Sequence, residues 1–137
     1  VSLLSYWVER FSQDERAAGS ILDEPATLAQ GIAAVNFHSG FADLKVHLAI
    51  PIADPAPEPP IDYPEITALT DISVSEWAMI RPLFLLYVER ETALQLEASR
   101  GMGIDVFGRS SSEVQGDIAL IESEYPHRAF LTDIITV

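Results

Sequence analysis

The chain has 137 residues, is 48% hydrophobic and carries 21 acidic side chains against 8 basic ones, for a formal net charge of −13. That length fits one domain with a real core, the apolar content excludes a disordered polymer, and so acidic a balance repels nucleic acid and anionic membranes. Cysteine is absent, which removes disulfides, thiolate metal sites and cysteine nucleophiles.

The opening residues lack the basic-then-apolar pattern of a signal peptide. Over residues 2–18, Leu3, Leu4, Trp7, Val8 and Phe11 recur at helical spacing, with Glu9, Arg10, Gln13 and Asp14 on the other side, until Gly19 and Ser20. A second helix is expected after Asp23, with Pro25 in its first turn, where a missing N–H costs nothing. Leu28, Ile32 and Val35 form its buried stripe, and Gly40 is placed to end it. Residues 44–50 alternate instead: Leu44, Val46, Leu48 and Ile50 against Lys45, His47 and Ala49, the period of a half-buried strand. There follows a Pro-rich acidic arm, residues 51–72, with six of the nine prolines between Pro51 and Pro64. Prolines so dense favour an extended, polyproline-like path.

Ser73 and Glu76 then form a capping box, flanked by Ile72 and Trp77 in the positions of a hydrophobic staple. They open a long helix over residues 74–100, roughly 40 Å at 1.5 Å per residue, in which Pro82 is expected to cause a kink near Ala78 to Ile80. Its middle is apolar on every side, so it must be covered all round. A domain of this length, with a radius of gyration of about 14 Å, offers little to wrap such a rod. The helix is therefore read as a subunit contact through Trp77, Ile80, Leu83, Phe84, Leu86 and Tyr87. Gly101 and Gly103 end it. A second box, Ser110 with Glu113, starts a helix carrying Val114, Ile118 and Ile121, which is expected to stop at Tyr125-Pro126. The nearly uncharged, β-branched end, residues 129–137, reads as an extended tail. It would pair with residues 44–50 or with a neighbouring subunit, placing Phe130, Ile134 and Ile135 at an interface. The fold class expected is mainly α: one domain over residues 1–137, a small helical bundle with a long central helix, an extended arm, a short strand and an extended tail.

No catalytic, cofactor or metal signature emerges. His38, His47 and His127 are scattered, and Glu124-x-x-His127 is interrupted by Pro126 and lacks the second copy that a di-iron site needs. Glu113 and Asp117, one turn apart, read as exposed helix charges. Gly101, Gly103 and Gly108 follow a helix instead of the strand that a dinucleotide loop requires. Arg81, Arg90, Arg100 and Arg109 are interleaved with acids and read as ion-pair partners, within the subunit or across to a neighbour. Trp77, Phe84 and Tyr87 read as packing, not as a ligand box. The most apolar run, residues 83–88, is far short of the ~20 residues a bilayer demands.

The stretch SEWAMIRPLFLLYVERETALQLEASRGMGIDVFGRSSSEV, extended to the end of the chain, resembles the head–tail connector (adaptor or head-completion) proteins of tailed bacteriophages. The likeness is weaker over the first fifty residues. It implies a non-enzymatic virion protein at the head–tail junction, made in the host cytoplasm and needing no cofactor. It also implies a ring, commonly of twelve copies, between the portal protein and a tail or collar protein, with DNA passing through unbound. Acidic side chains would then line or flank the channel. The alternatives are an acidic DNA mimic that inhibits a nucleic-acid enzyme, and a small enzyme or ligand-binding protein whose site is assembled from scattered residues.

Overall fold

A computed structural model describes residues 2–15, 22–48, 64–99 and 109–135, with backbone alone at 15, 47–48 and 129–135. In chain order it contains β1 (Ser2–Leu3), α1 (Leu4–Arg10), a π-helical segment (Phe11–Glu15) and α2 (Glu24–Ser39). A single turn, α3 (Lys45–Leu48), β2 (Asp71–Ile72), α4 (Val74–Ala98) and α5 (Ser111–Ile135) follow. The mainly α expectation holds. α4 packs against α2 and α5, and α1 packs against α2. The strands β1 and β2 form one short antiparallel ribbon, with Ser2 opposite Ile72 and Leu3 opposite Asp71.

Local chemistry explains the helix starts. Asp23 caps α2 by accepting from Ala26 N at 2.9 Å, with a proline in the first turn and Gly40 at the far end. The box at α4 is complete: Ser73 Oγ accepts from Glu76 N and Glu76 Oε1 accepts from Ser73 N. At α5, Ser110 Oγ accepts from Glu113 N, while Glu97 reaches across from α4 to take both the N–H and the hydroxyl of Ser111.

The core gathers around the first half of α4. Ile80, Leu83 and Phe84 are fully buried there, together with Leu4, Val35, Leu44, Val114 and Ile118 from other elements. Trp7 stacks on Trp77 with ring centroids 5.8 Å apart, and its indole N–H donates to the Ile72 carbonyl at 3.0 Å. Phe84 meets the rings of Trp77 and Phe11. In the same core, Tyr125 of α5 meets the rings of Phe37, His38 and Phe41, and its hydroxyl lies 2.6 Å from His38 Nδ1.

Three expectations need correction. Residues 45–48 form a helical turn, not a strand. Leu44 is buried as the alternation suggested, but Glu76 Oε2 accepts from Lys45 N, and a carboxylate on a free N-terminal N–H stabilises a helical start. α5 does not stop at Pro126 but continues to Ile135, so residues 129–135 are helical instead of extended. Pro126 is exposed, and once a helix is nucleated each further residue is added at little cost, even where β-branched residues follow. Pro82 is likewise exposed within α4, opposite the packed side, and the helix runs through it. Of the arm, residues 51–63 lie outside the described residues; Thr70 and Ala68 accept from Leu4 N and Ser5 N, tying the arm's end to α1.

Glu76→Ala should cost about 1–3 kcal/mol, because two backbone donors lose their acceptor together. Glu76→Gln, which keeps one acceptor oxygen, should cost less. Urea unfolding of both variants checks the order, and equal stability of all three proteins would contradict the clasp.

Candidate assembly surfaces

Among the described residues, the side chains expected at subunit contacts lie mostly inside the subunit. Trp77, Ile80, Leu83, Phe84 and Tyr87 are enclosed by the chain's own α1, α2 and α5, and Leu86 is half-buried against the same core. The first five are therefore packed within the subunit itself and not left open on its surface. The rod that looked too apolar for one domain is sealed because α2 and α5 flank it, leaving Ala78 and Pro82 as its outward side. The side chains of Phe130, Ile134 and Ile135 lie outside the described residues.

α4 and α5 form an antiparallel hairpin whose rim is polar. Arg109 Nε and Nη2 donate to the two Glu89 oxygens at 2.8 and 3.0 Å, and its Nη1 donates to Asp117. Arg90 donates to Gln115 at 2.9 Å and lies over the Tyr87 ring, 4.9 Å from its centroid. Arg109 thus meets the expected carboxylates, whereas Arg90 takes an amide and a ring. Tyr87 Oη donates to Glu122 at 2.7 Å. Burial, then the Glu122 carboxylate, pushes the Tyr87 phenol well above its ordinary pKa, and burial followed by Tyr87 itself does the same for Tyr125. Both phenols therefore stay protonated at neutral pH and serve as hydrogen-bonding groups, not as bases.

The titratable residues singled out in the sequence are dispersed. Glu124 is exposed and pairs with Arg128 at 3.2 Å, one turn on, and His127 is exposed on the same helix. His38 is buried on Tyr125, the His47 side chain lies outside the described residues, and so do Arg100, Gly101, Gly103 and Gly108. Among the described residues no group of three His, Asp or Glu side chains could hold a metal ion, and no helix is long and apolar enough to cross a membrane.

Among the described residues large apolar side chains reach solvent singly at Phe41, 44% exposed, and in two groups. Around the β1–β2 ribbon these are Leu3, Tyr6, Leu69 at 72% exposure and Val74 at 69%. On the hairpin they are Leu94 and Leu120, the latter 59% exposed among the exposed acids Glu113, Asp117 and Glu124. Val74 and Leu94 stand twenty residues apart on α4, so about 30 Å separates the two places. Sequence reasoning missed both, because it assigned the outward apolar role to the centre of α4. The signal that could have found Leu120 is its position beside Asp117 and Glu124, away from the stripe of Val114, Ile118 and Ile121.

Comparison of the chain with protein-family models, with curated proteins and with solved structures gave no match.

Phe84→Asp should abolish the cooperative thermal transition of the isolated protein, since an unpaired buried charge costs a large part of a typical total stability of about 5–15 kcal/mol. Leu120→Asp should change stability by no more than about 0.5 kcal/mol. Calorimetry of the two variants separates core from surface, and a folded, unshifted Phe84→Asp protein would return Phe84 to the interface.

Proposed function

We propose that the chain is a structural subunit of the head–tail junction of a tailed bacteriophage. In this reading its copies form a ring that binds the portal on one side and a tail or collar protein on the other, with DNA passing through. The observation that carries the reading is the α4–α5 hairpin. The stretch that resembles connector proteins folds as one clasped unit, sealed inside and bearing Leu94, Leu120 and a set of acids outside. A closed ring of identical subunits needs two different surfaces on each copy, joined head to tail. The ribbon end and the hairpin face, about 30 Å apart along α4, are two such surfaces. Contacts made by them leave the subunit core intact, which suits a protein that folds first and assembles on a template afterwards.

The acids on the outside of α5 have a role in the same reading. DNA carries one charge per roughly 1.7 Å of duplex, and a channel wall of like charge keeps it from sticking as it moves.

Incubating the purified protein with a candidate portal ring and imaging by negative stain tests the assembly. Val74→Asp and Leu120→Asp should each prevent a second ring from forming on the portal while leaving the thermal midpoint unchanged; rings from both variants would overturn these contacts. Glu113→Lys with Glu124→Lys should slow DNA release from assembled particles, and unaltered ejection kinetics would remove the acidic wall from the account.

A further inference from the structure

A gap runs between α1 and α2. The two helices approach closely at Gly31, where a Cβ would stand 2.8 Å from Val8 Cγ2. Toward the start of α2 a groove of about 390 Å³ remains between them, within the range of small-ligand sites, about 300–1,000 Å³. Val8, Pro25 and Leu28 make it mainly apolar, Glu9 and Glu24 add two carboxylates, and Ser12 adds a hydroxyl. Both carboxylate residues are exposed. Glu9 accepts from Gln13 Nε2 at 3.2 Å, and Arg10, the adjoining cation in sequence, is paired with Asp14 at 3.9 Å.

Ser12 supplies a second, independent observation. Among the described residues its Oγ is the buried side-chain oxygen with no hydrogen-bond partner. A helical serine ordinarily satisfies itself on the carbonyl four residues back. Ser12 lies in the π-helical segment Phe11–Glu15, where the backbone is rewound, and such segments recur at functional sites. A buried hydroxyl left without a partner calls for an explanation; Ser12 lines the groove, and rotation of its side chain toward a docked donor would give the hydroxyl a partner.

We propose that this groove receives an arginine side chain of a protein partner. The three-carbon stem would lie on Val8, Pro25 and Leu28, as long cationic side chains do on apolar surfaces. The guanidinium has five N–H donors and no acceptor, which matches a set of two carboxylates and one unpartnered hydroxyl oxygen. An anion would meet two like charges, and a bare metal ion would gain nothing from the apolar floor. The chain's net charge of −13 draws a basic partner toward the surface before it docks. This assignment does not depend on the connector reading; it uses α1 and α2, which the hairpin resemblance leaves out.

The test is an NMR titration of the intact protein with N-acetyl-arginine methylamide, beside the neutral isostere N-acetyl-citrulline methylamide. Saturable amide shifts confined to residues 5–12 and 24–28 are expected, with citrulline binding roughly five- to tenfold more weakly. Glu9→Gln and Glu24→Gln should each weaken arginine binding roughly two- to fivefold, Ser12→Ala should weaken it without altering the fold, and Glu113→Gln on α5 should leave it unchanged. Non-saturating shifts, equal binding of citrulline, or shifts that follow the α5 acids would overturn the proposal. Ring formation through Val74 and Leu120 would stand or fall separately, because neither residue borders the groove.

Discussion

The Glu76 carboxylate is the contact on which the arrangement depends. It is almost wholly buried, yet it is spent on backbone: one oxygen takes the N–H of Ser73 and the other the N–H of Lys45. A single side chain thereby starts α4 and α3 at once and fixes where residues 44–48 meet the start of the long helix. Next to it, Trp7 stacks on Trp77 and donates to the Ile72 carbonyl, so α1 is registered against the same turn. Buried carboxylates are costly unless their oxygens are satisfied; here donors that a helix start and a loop must otherwise leave orphaned provide the satisfaction. Cap, ribbon and indole are one device, and the positions of α1, α3 and α4 follow from it.

With the start of α4 fixed, its apolar middle can be enclosed from two sides. α2 and α5 supply Val35, Val114 and Ile118, and the polar rim of the hairpin sets which face of α5 turns inward. Arg109 bridging Glu89 and Asp117, Arg90 on Gln115, Tyr87 on Glu122 and Glu97 on Ser111 all join α4 to α5 or its N-terminal approach. Such exposed contacts contribute little stability one by one, but a one-residue rotation of α5 would break them together. Apolar packing holds the hairpin, and the polar contacts choose its register.

Much of this was legible in the residues. The two complete local signals, Asp23 with Pro25 and Ser73 with Glu76, marked their helix starts to the residue, because capping is chemistry between near neighbours in sequence. What failed was whatever depended on distant partners. The alternation of residues 44–50 predicted burial of Leu44 correctly but not the helical turn after it, because the deciding carboxylate comes from Glu76, thirty-one residues on from Lys45. The halt expected at Pro126 ignored which side of α5 the proline occupies; on an exposed side the carbonyl that loses its helical donor can be satisfied by water. The assignment of Trp77, Ile80, Leu83, Phe84 and Tyr87 to an interface rested on a shortage of covering material, and α2 and α5 supply it through Val35, Val114, Ile118 and Tyr125. The groove between α1 and α2 was not visible at all, since an unpartnered hydroxyl and a gap are properties of packing.

The corrected core changes what assembly would require on the connector reading. If the central side chains of α4 needed neighbours, an isolated subunit would be unfolded or aggregated, and ring formation would be coupled to folding. A sealed subunit faces a different balance: copies that each carry a formal charge of −13 must be brought side by side. At physiological ionic strength charges are screened beyond about 8 Å, so repulsion acts mainly between acids that a contact brings close together. The apolar area exposed at the ribbon end and on the hairpin is scattered over a few side chains, well below the continuous apolar surfaces of obligate oligomers. Such a subunit gains little from pairing alone, and a template that binds several copies raises their effective concentration enough to close the ring. On the connector reading, a sealed core, small apolar patches and strong like charge would together keep the chain single until a platform gathers it.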